Sequence, residues 1–226
     1  MTLEEYFGDW MEVIDKKELG TVLTEVGKLY QRTSVCPAQS DVFRAFELCP
    51  YRMLKVVFVG QDPYPQKGVA TGILFGNRKE VPENNLSPSL KVIKEACINF
   101  EIPHNSIIFD QTLESWAKQG ILMINSALTV ETGKIGSHTM IWREFIGKLL
   151  ENISINNPGI IYVLFGQQAQ TFRPYIQERN PDYIIKMSHP AFYARTEFKM
   201  PSELFNLVKD LVKEKYGESI EWFQEC

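Results

Sequence analysis

The sequence predicts an α/β fold with three layers, α/β/α, around a central, mostly parallel sheet of four strands. One observation is the alternation of short apolar runs with longer segments of helical periodicity, which is typical of parallel strands covered by helices. A second is that each apolar run ends abruptly in small or polar residues, as buried strands do where they leave a sheet.

The predicted strands are the most apolar stretches of the chain. They span residues 54–60, 121–124, 160–165 and 183–187. Because short apolar runs bounded by turn residues are typical of strands buried on both faces, we assign all of them to one sheet.

Helical segments separate these strands and are expected to cover the sheet. The predicted helices span residues 88–100, 111–118, 141–155, 168–179 and 201–216. The opening third of the chain, up to Arg52, is also predicted to be helical. The apolar residues of that third that are available to pack on the sheet are Trp10, Val13, Leu19, Val22 and Leu29. No linker or repeat interrupts the pattern, so we expect a single domain over residues 1–226.

Composition restricts the class of protein. The chain is 44% hydrophobic and 12% aromatic, which is enough for a substantial core. No apolar run approaches the roughly 18 residues of a membrane span, and the start of the chain is unlike a secretory leader, so we expect a cytoplasmic protein without a membrane partner. The cysteines lack metal-type spacing, which predicts reduced thiols with neither disulfides nor zinc ligation. They are Cys36, Cys49, Cys97 and Cys226.

The net charge of −4 argues against a partner that is held mainly by bulk positive charge. Nucleic acid remains a candidate partner, because the 24 lysines and arginines can be concentrated on one face of the protein.

Polar side chains follow three of the predicted strands. Asp62, Asn125 and His189 each stand at or just past the end of a strand. Because the carboxyl ends of parallel strands meet at one edge of a sheet, we expect these side chains to lie close together. A carboxylate can orient water, an amide can read a donor and acceptor edge, and an imidazole can donate to a leaving anion. The set favours a hydrolytic site.

Short motifs surround these residues in a fixed order. They are VFRAF at 42–46, GQDPYP at 60–65, GILF at 72–75, LSPSL at 86–90, LMINSALTV at 122–130, SH at 137–138 and SHP at 188–190. In order and spacing they resemble the motifs of family 1 uracil-DNA glycosylases, over roughly residues 7–216. The resemblance implies a monofunctional, metal-independent enzyme of base excision repair that flips uracil out of DNA and hydrolyses its N-glycosidic bond.

The resemblance also implies a role for each matching residue. Asp62 would activate the attacking water and counter the positive charge of the sugar, while His189 would hydrogen-bond uracil O2 as the base leaves. Asn125 would read the Watson–Crick edge of uracil, and Phe75 would stack on the flipped base. Tyr64 would fill the space of the thymine methyl group. Gln61 would contribute backbone contacts to the base.

Contacts to DNA are expected from a further set of residues, Ser89, Gly166, Gln167, Ser188, Tyr193 and Arg195. The chain departs from the family in part of this set. Pro65 replaces the usual phosphate-binding histidine, and the run AFYAR at 191–195 replaces the usual Ser-Pro-Leu-Ser. Tyr193 stands where the leucine wedge is expected, although Phe192 and Tyr193 can equally form a packed loop. Arg195 can supply a phosphate contact in place of the serines.

Two other functions compete with uracil excision. One is a uracil- or nucleic-acid-binding protein of the same fold with weak or lost turnover, which the altered loop favours and the intact Asp62, Asn125 and His189 oppose. The other is an enzyme acting on small nucleosides, which the retained LSPSL motif at 86–90 opposes. We expect a monomer that binds uracil-containing DNA, single- or double-stranded.

Overall fold

The computed structural model describes residues 2–99 and 102–226. Its strands are β1 (Val35–Cys36), β2 (Val56–Gly60), β3 (Ile107–Ile108), β4 (Ile121–Asn125), β5 (Val130–Glu131), β6 (Ile161–Phe165), β7 (Ile184–Met187) and β8 (Gln224–Glu225). Its α-helices are α1 (Leu3–Phe7), α2 (Lys16–Arg32), α3 (Arg44–Leu48), α4 (Pro88–Cys97), α5 (Glu114–Ala117), α6 (Thr139–Asn156), α7 (Gly166–Gln170), α8 (Pro190–Tyr193) and α9 (Glu203–Tyr216). Short 3₁₀ turns join several of them.

The central sheet has the strand order β4-β2-β6-β7, and every pair in it is parallel. The predicted α/β fold class and the predicted strands are confirmed, with strand ends shifted by at most two residues. Every residue of β2, β4 and β6 is buried. That burial explains why these strands are continuous apolar runs rather than alternating ones.

Two hydrophobic clusters cover the two faces of this sheet. Successive residues of β2 alternate between them, so Val57 belongs to the first cluster and Phe58 to the second. The first cluster contains the buried sides of α2 and α6, whereas the second contains those of α4 and α9. Helices on both faces of a parallel sheet form the predicted three layers.

The N-terminal third packs in the first cluster, as its apolar residues predict. Helix α2 begins where the Asp15 side chain accepts hydrogen bonds from the backbone N–H groups of Lys17 and Glu18, which satisfies donors that the helix itself leaves free. The buried residues of this third that were predicted to pack are Trp10, Val13, Leu19 and Val22. Leu29 is only partly buried.

Two predicted helices are shorter than expected. Helix α7 ends at Gln170 and gives way to a 3₁₀ turn over Arg173–Tyr175, because Pro174 has no N–H to continue an α-helix. The helix predicted at 111–118 is reduced to α5, since Asp110 accepts hydrogen bonds from the backbone of Thr112 and Ser115 and forms a turn there. The last residue of the helix predicted at 88–100, Phe100, lies outside the described residues.

Two antiparallel pairs of very short strands, β1 with β5 and β3 with β8, were not predicted. No helix in the described residues is long and apolar enough to cross a membrane.

Candidate active site

The ends of β2 and β4 lie side by side, with Gly60 opposite Asn125. A Cβ atom at Gly60 would lie 2.2 Å from Leu74 Cδ1 and 2.9 Å from Asn125 Oδ1. Only glycine therefore allows the asparagine amide to approach the strand this closely. The turn that follows is fixed by the Gln61 carbonyl, which accepts hydrogen bonds from Ser126 Oγ at 2.9 Å and Ala127 N at 3.1 Å.

The two carboxylate oxygens of Asp62 differ in their hydrogen bonding. Its Oδ2 accepts a hydrogen bond of 2.9 Å from the backbone N–H of Gly136. Its Oδ1 is buried and has no hydrogen-bond partner among the residues that the structure describes. Burial raises the pKa of Asp62 above its ordinary value, while the Gly136 N–H and the Gln61 side chain act in the opposite direction. The free oxygen is available to a substrate or a water molecule.

Asn125 likewise has an unsatisfied acceptor. Its side chain is buried, and Oδ1 has no hydrogen-bond partner. Leaving such an atom unpaired costs about 1–3 kcal/mol. Unpaired atoms on both Asp62 and Asn125 at one sheet edge are expected of a site that binds a polar ligand.

His189 follows β7 and has a defined protonation state. Burial, with a smaller effect from the positive charge of Arg195, lowers the pKa of His189 to about 4. The imidazole is therefore neutral at pH 7. Its Nδ1 accepts a hydrogen bond of 3.1 Å from the backbone N–H of Ala191, so the ring proton is on Nε2. His189 thus presents an N–H donor and no net charge.

Phe75 joins His189 to the sheet. Its ring makes edge-to-face contacts with His189 at 5.5 Å and with Phe165 at 5.3 Å between centroids. The backbone of Phe75 has a φ of 64°, which is uncommon for a bulky residue and is typical of functional sites. Tyr64 OH donates to the Phe75 carbonyl at 3.1 Å. A continuous set of contacts therefore connects Tyr64, Phe75 and His189.

The turn after β6 also reaches His189. Gly166 has a φ of 85°, and a Cβ atom there would lie 3.0 Å from His189 Cβ. The next residue, Gln167, is exposed. Gln170 Nε2 donates to the Met187 carbonyl at 3.0 Å and ties α7 to β7. The structure therefore brings Gly166 and Gln167 to the same edge as the predicted catalytic residues.

The other predicted DNA contacts differ in exposure. Ser188 and Arg195 are exposed around the short helix α8. Tyr193 is partly buried and packs against the second cluster, whereas the adjacent Phe192 is 46% exposed. Ser89 is buried in the first turn of α4, a helix that packs against α8. The Ser89 hydroxyl therefore presents little surface.

Sequence reasoning missed the residue that holds Asp62. Gly136 is 74 positions away along the chain, and its φ of 80° suits glycine. Its loop is anchored by Thr129, whose Oγ1 lies 2.9 Å from His138 Nδ1 and accepts a hydrogen bond from Trp142 Nε1. The SH motif at 137–138 marked this loop, but nothing in it indicated a backbone contact to Asp62.

Known proteins are similar to this chain in fold and in sequence. The uracil DNA glycosylase superfamily profile matches residues 46–213. A uracil-DNA glycosylase of Buchnera aphidicola (strain Tuc7) is 33% identical over 95% of this chain and 97% of its own length. One from Coxiella burnetii (strain RSA 493) is 34% identical over 97% and 89%. A crystal structure of mimivirus uracil-DNA glycosylase superposes with a TM-score of 0.72 at 24% identity, covering 98% of this chain and 93% of that one.

The fold and the strand-end polar residues define an α/β protein with a polar site at the carboxyl edge of its parallel sheet. The comparisons identify the family. The chain belongs to the uracil-DNA glycosylase superfamily. The predicted family, fold class and assignment as a DNA glycosylase are therefore confirmed.

Proposed function

We propose that this chain removes uracil from single- and double-stranded DNA by hydrolysing the N-glycosidic bond, as a step of base excision repair. The observation that carries the proposal is the pair of buried, unpartnered acceptors, Asp62 Oδ1 and Asn125 Oδ1, at the edge that also holds neutral His189. Hydrogen-bonding capacity that the protein leaves unused is available to a substrate.

Asp62 would act on the sugar and the water. With Oδ2 bound to the Gly136 N–H, the free Oδ1 would orient the water that attacks the C1′ atom. The negative charge of the carboxylate would also stabilise the positive charge that develops on the sugar as the C1′–N1 bond breaks. The electron pair of that bond leaves with the base, the water oxygen forms the new bond to C1′, and the proton that the water loses passes to the Asp62 carboxylate.

His189 would act on the leaving group. Its Nε2–H would donate a hydrogen bond to uracil O2 and stabilise the negative charge that the departing base acquires. Because its pKa is low, His189 would donate this hydrogen bond as a neutral imidazole. It would then carry no positive charge to pair with the Asp62 carboxylate. The Ala191 N–H holds the ring in the required tautomer.

Base selection would come from Asn125, Phe75, Tyr64 and Gln61. Asn125 Oδ1 can accept from uracil N3–H, whereas cytosine has an acceptor at N3, so cytosine would leave that oxygen unpaired. Phe75 would stack on the flipped base. Tyr64, fixed by its bond to the Phe75 carbonyl, would occupy the space of a thymine methyl group. The fixed turn at Gln61 would supply backbone contacts to uracil.

Contacts to the DNA strand would come from the rim of this site. The proposed residues are Ser89, Gly166, Gln167, Ser188, Tyr193 and Arg195. The position of most of this set supports the proposal, since Gly166 adjoins His189 and the segment that contains Ser188, Tyr193 and Arg195 carries His189. Ser89 is buried in α4, so its part in the proposal rests on the motif alone. The guanidinium of Arg195 suits bidentate phosphate binding.

We further propose one domain over residues 1–226, acting as a monomer in the cytoplasm. Helices from both ends of the chain, α2 and α9, cover the same central sheet, which supports one domain. Of the four cysteines, Cys36, Cys49 and Cys97 are buried and unpaired, and Cys226 is exposed and unpaired, as expected in a reducing compartment.

The decisive experiment measures uracil release from single-stranded and duplex oligonucleotides, with free deoxyuridine as a control substrate. We expect release from both DNA substrates, little from deoxyuridine, and strong loss in Asp62→Asn. The matched control is Asp210→Asn, an exposed aspartate on α9, which should keep the wild-type rate. Tight binding of uracil-containing DNA without release by the wild-type protein would favour the binding protein instead.

A further inference from the structure

A largely apolar pocket lies at the surface of the first cluster, between the N-terminal helices and the chain that leads into α3. Its volume is about 460 Å³, and none of the candidate active-site residues lines it. The lining comes from α1 and the residue before it, from α2, and from residues 39–47, with Trp142 of α6. Small-molecule sites in proteins have volumes of about 300–1,000 Å³. The pocket is therefore a candidate ligand site that is separate from the uracil site.

Aromatic side chains are prominent in the lining of this pocket. They are Tyr6, Phe7, Tyr30, Phe43 and Trp142. The Tyr6 ring meets the rings of Phe7 and Phe43 edge to face, with centroids 4.9 Å and 6.4 Å apart. The faces of aromatic rings carry negative charge density and attract organic cations. The lining therefore suits an apolar molecule and, in particular, a cationic one.

The charge of the pocket points in the same direction. Glu47 is the only charged residue among the described residues that line it. The Glu47 side chain accepts a hydrogen bond of 2.5 Å from Tyr6 OH. Burial, together with the Glu47 carboxylate, raises the pKa of Tyr6, so the phenol keeps its proton and acts as the donor. Arg44, one turn earlier on α3, pairs with Glu114 instead. The pocket lining thus has a carboxylate and no cationic side chain.

We propose that this pocket binds a small organic cation, namely an ammonium group attached to an apolar body. The apolar body would lie against the aliphatic and aromatic walls, where its burial is favourable. The ammonium group would pair with the Glu47 carboxylate and contact the Tyr6 ring. A neutral molecule of the same shape would leave the carboxylate without a counter-charge. The inference is independent of the activity proposed above, because it concerns different residues.

Two glycines of α2 provide a matched pair of variants. A Cβ atom at Gly27 or at Gly20 would have no heavy atom within 4 Å. Gly27 lines the pocket, whereas Gly20 does not. Both residues lie inside α2, where leucine is a better helix former than glycine. Gly27→Leu should therefore fill the pocket and Gly20→Leu should not, and neither substitution should destabilise the fold.

The test compares the affinities of phenethylamine and phenethyl alcohol, which share a ring and a chain but differ in charge at pH 7. Binding is followed by NMR through the backbone amide shifts of Leu23 and Val26, which also line the pocket. We expect phenethylamine to bind about tenfold more tightly than the alcohol. Glu47→Gln retains an oxygen that can accept from Tyr6 OH, so it should lower this ratio to about threefold, since only ring contacts to the cation remain.

Gly27→Leu should abolish the shifts caused by both compounds, whereas Gly20→Leu should bind them as the wild type does. Thermal unfolding of each variant checks that the fold is intact. Equal affinities of the wild type for the amine and the alcohol would overturn the cation site, as would an unchanged ratio in Glu47→Gln. Absence of amide shifts with phenethylamine, or equal losses in the two glycine variants, would overturn the pocket as a ligand site. Uracil release enters none of these comparisons.

Discussion

The proposed base pocket is formed by Asp62, Tyr64, Phe75, Asn125 and His189, and it is built in the opposite way to the turn that follows it. Asp62 and Asn125 lie at or just past the ends of strands in which every residue is buried, and Oδ1 of each side chain is buried as well. The turn over residues 190–198 is a short helix followed by exposed chain, with two phenylalanine rings in water. The pocket agrees with the family motifs, whereas the turn departs from them.

This difference separates the residues that we propose for catalysis from those that we propose to bind the DNA strand. Reacting groups must be held within a fraction of an ångström, so they belong on rigid strand ends that tolerate little change. Contacts along a DNA strand are numerous and individually weak, so one kind can replace another. The comparison predicts large, specific effects from changes in the pocket and smaller, substrate-dependent effects from changes in the turn.

The largest effects should come from the two residues that we propose as catalytic. Asp62→Asn and His189→Leu should each lower the single-turnover rate of uracil release about 100-fold or more, because each removes a group that acts mainly in the transition state. DNA binding should fall much less. Rates and affinities measured on the same oligonucleotide check both statements. Near-wild-type rates in the two variants would remove the distinction between pocket and turn.

Changes to base selection should come next in size. On the proposed roles, Tyr64→Ala would open the space of the thymine methyl group, and Asn125→Asp would alter the hydrogen-bonding edge that excludes cytosine. Discrimination against thymine and cytosine, respectively, should fall about 10- to 100-fold. The measurement is release of each base from otherwise identical strands. If neither variant releases a new base, the pocket assignment loses its support.

Restoring hydroxyls in the turn should have a moderate effect. The double variant Ala191→Ser with Ala194→Ser should bind uracil-containing duplex at least about fivefold more tightly, because each of the two hydroxyls can form a hydrogen bond to phosphate that contributes about 0.5 kcal/mol or more. The wild-type protein should prefer single-stranded over duplex substrate, since opening a duplex costs a few kcal/mol per flipped base. The ratio of the two rates, before and after substitution, tests this. An unchanged ratio would show that the turn does not limit the rate of uracil release from duplex DNA.

Arg195 should affect binding in a salt-dependent way. Arg195→Ala should reduce the slope of log affinity against log salt by about one, which is the effect of losing one phosphate contact. It should also raise the pKa of His189, since the positive charge of Arg195 contributes to its lowered value. Salt titrations and NMR titration of the imidazole provide the two measurements. An intact slope would rule out a phosphate contact at this residue.

The smallest effect is on the pH dependence of stability. Unfolded His189 takes up a proton near pH 6.5, whereas the folded residue does so only near pH 4. Between these values the unfolded state binds more protons, so this residue lowers stability as the pH falls through that window. The raised pKa of Asp62 acts in the opposite direction. Urea unfolding at pH 7 and pH 5 should show a smaller loss of stability in His189→Leu than in the wild type.

Sequence alone determined the strands of the sheet and the family. Strands such as β2, buried on both faces, must be continuous apolar runs, and that requirement is visible without a structure. The prediction that Asp62, Asn125 and His189 lie at one edge also rested on strand direction, because parallel strands share one carboxyl edge. Local rules of this kind need only neighbouring residues, so they predicted the strands and their parallel direction but not the strand order.

Tertiary structure alone decided which atoms are free and which rings face water. The Gly136 contact to Asp62 joins residues 74 positions apart, and the His189 tautomer depends on one N–H from Ala191. The difference between partly buried Tyr193 and exposed Phe192 depends on how α8 lies against α4. Hydrogen bonds and exposure are set by distances between distant segments, and those distances exist only once the sheet and its two helical layers have packed.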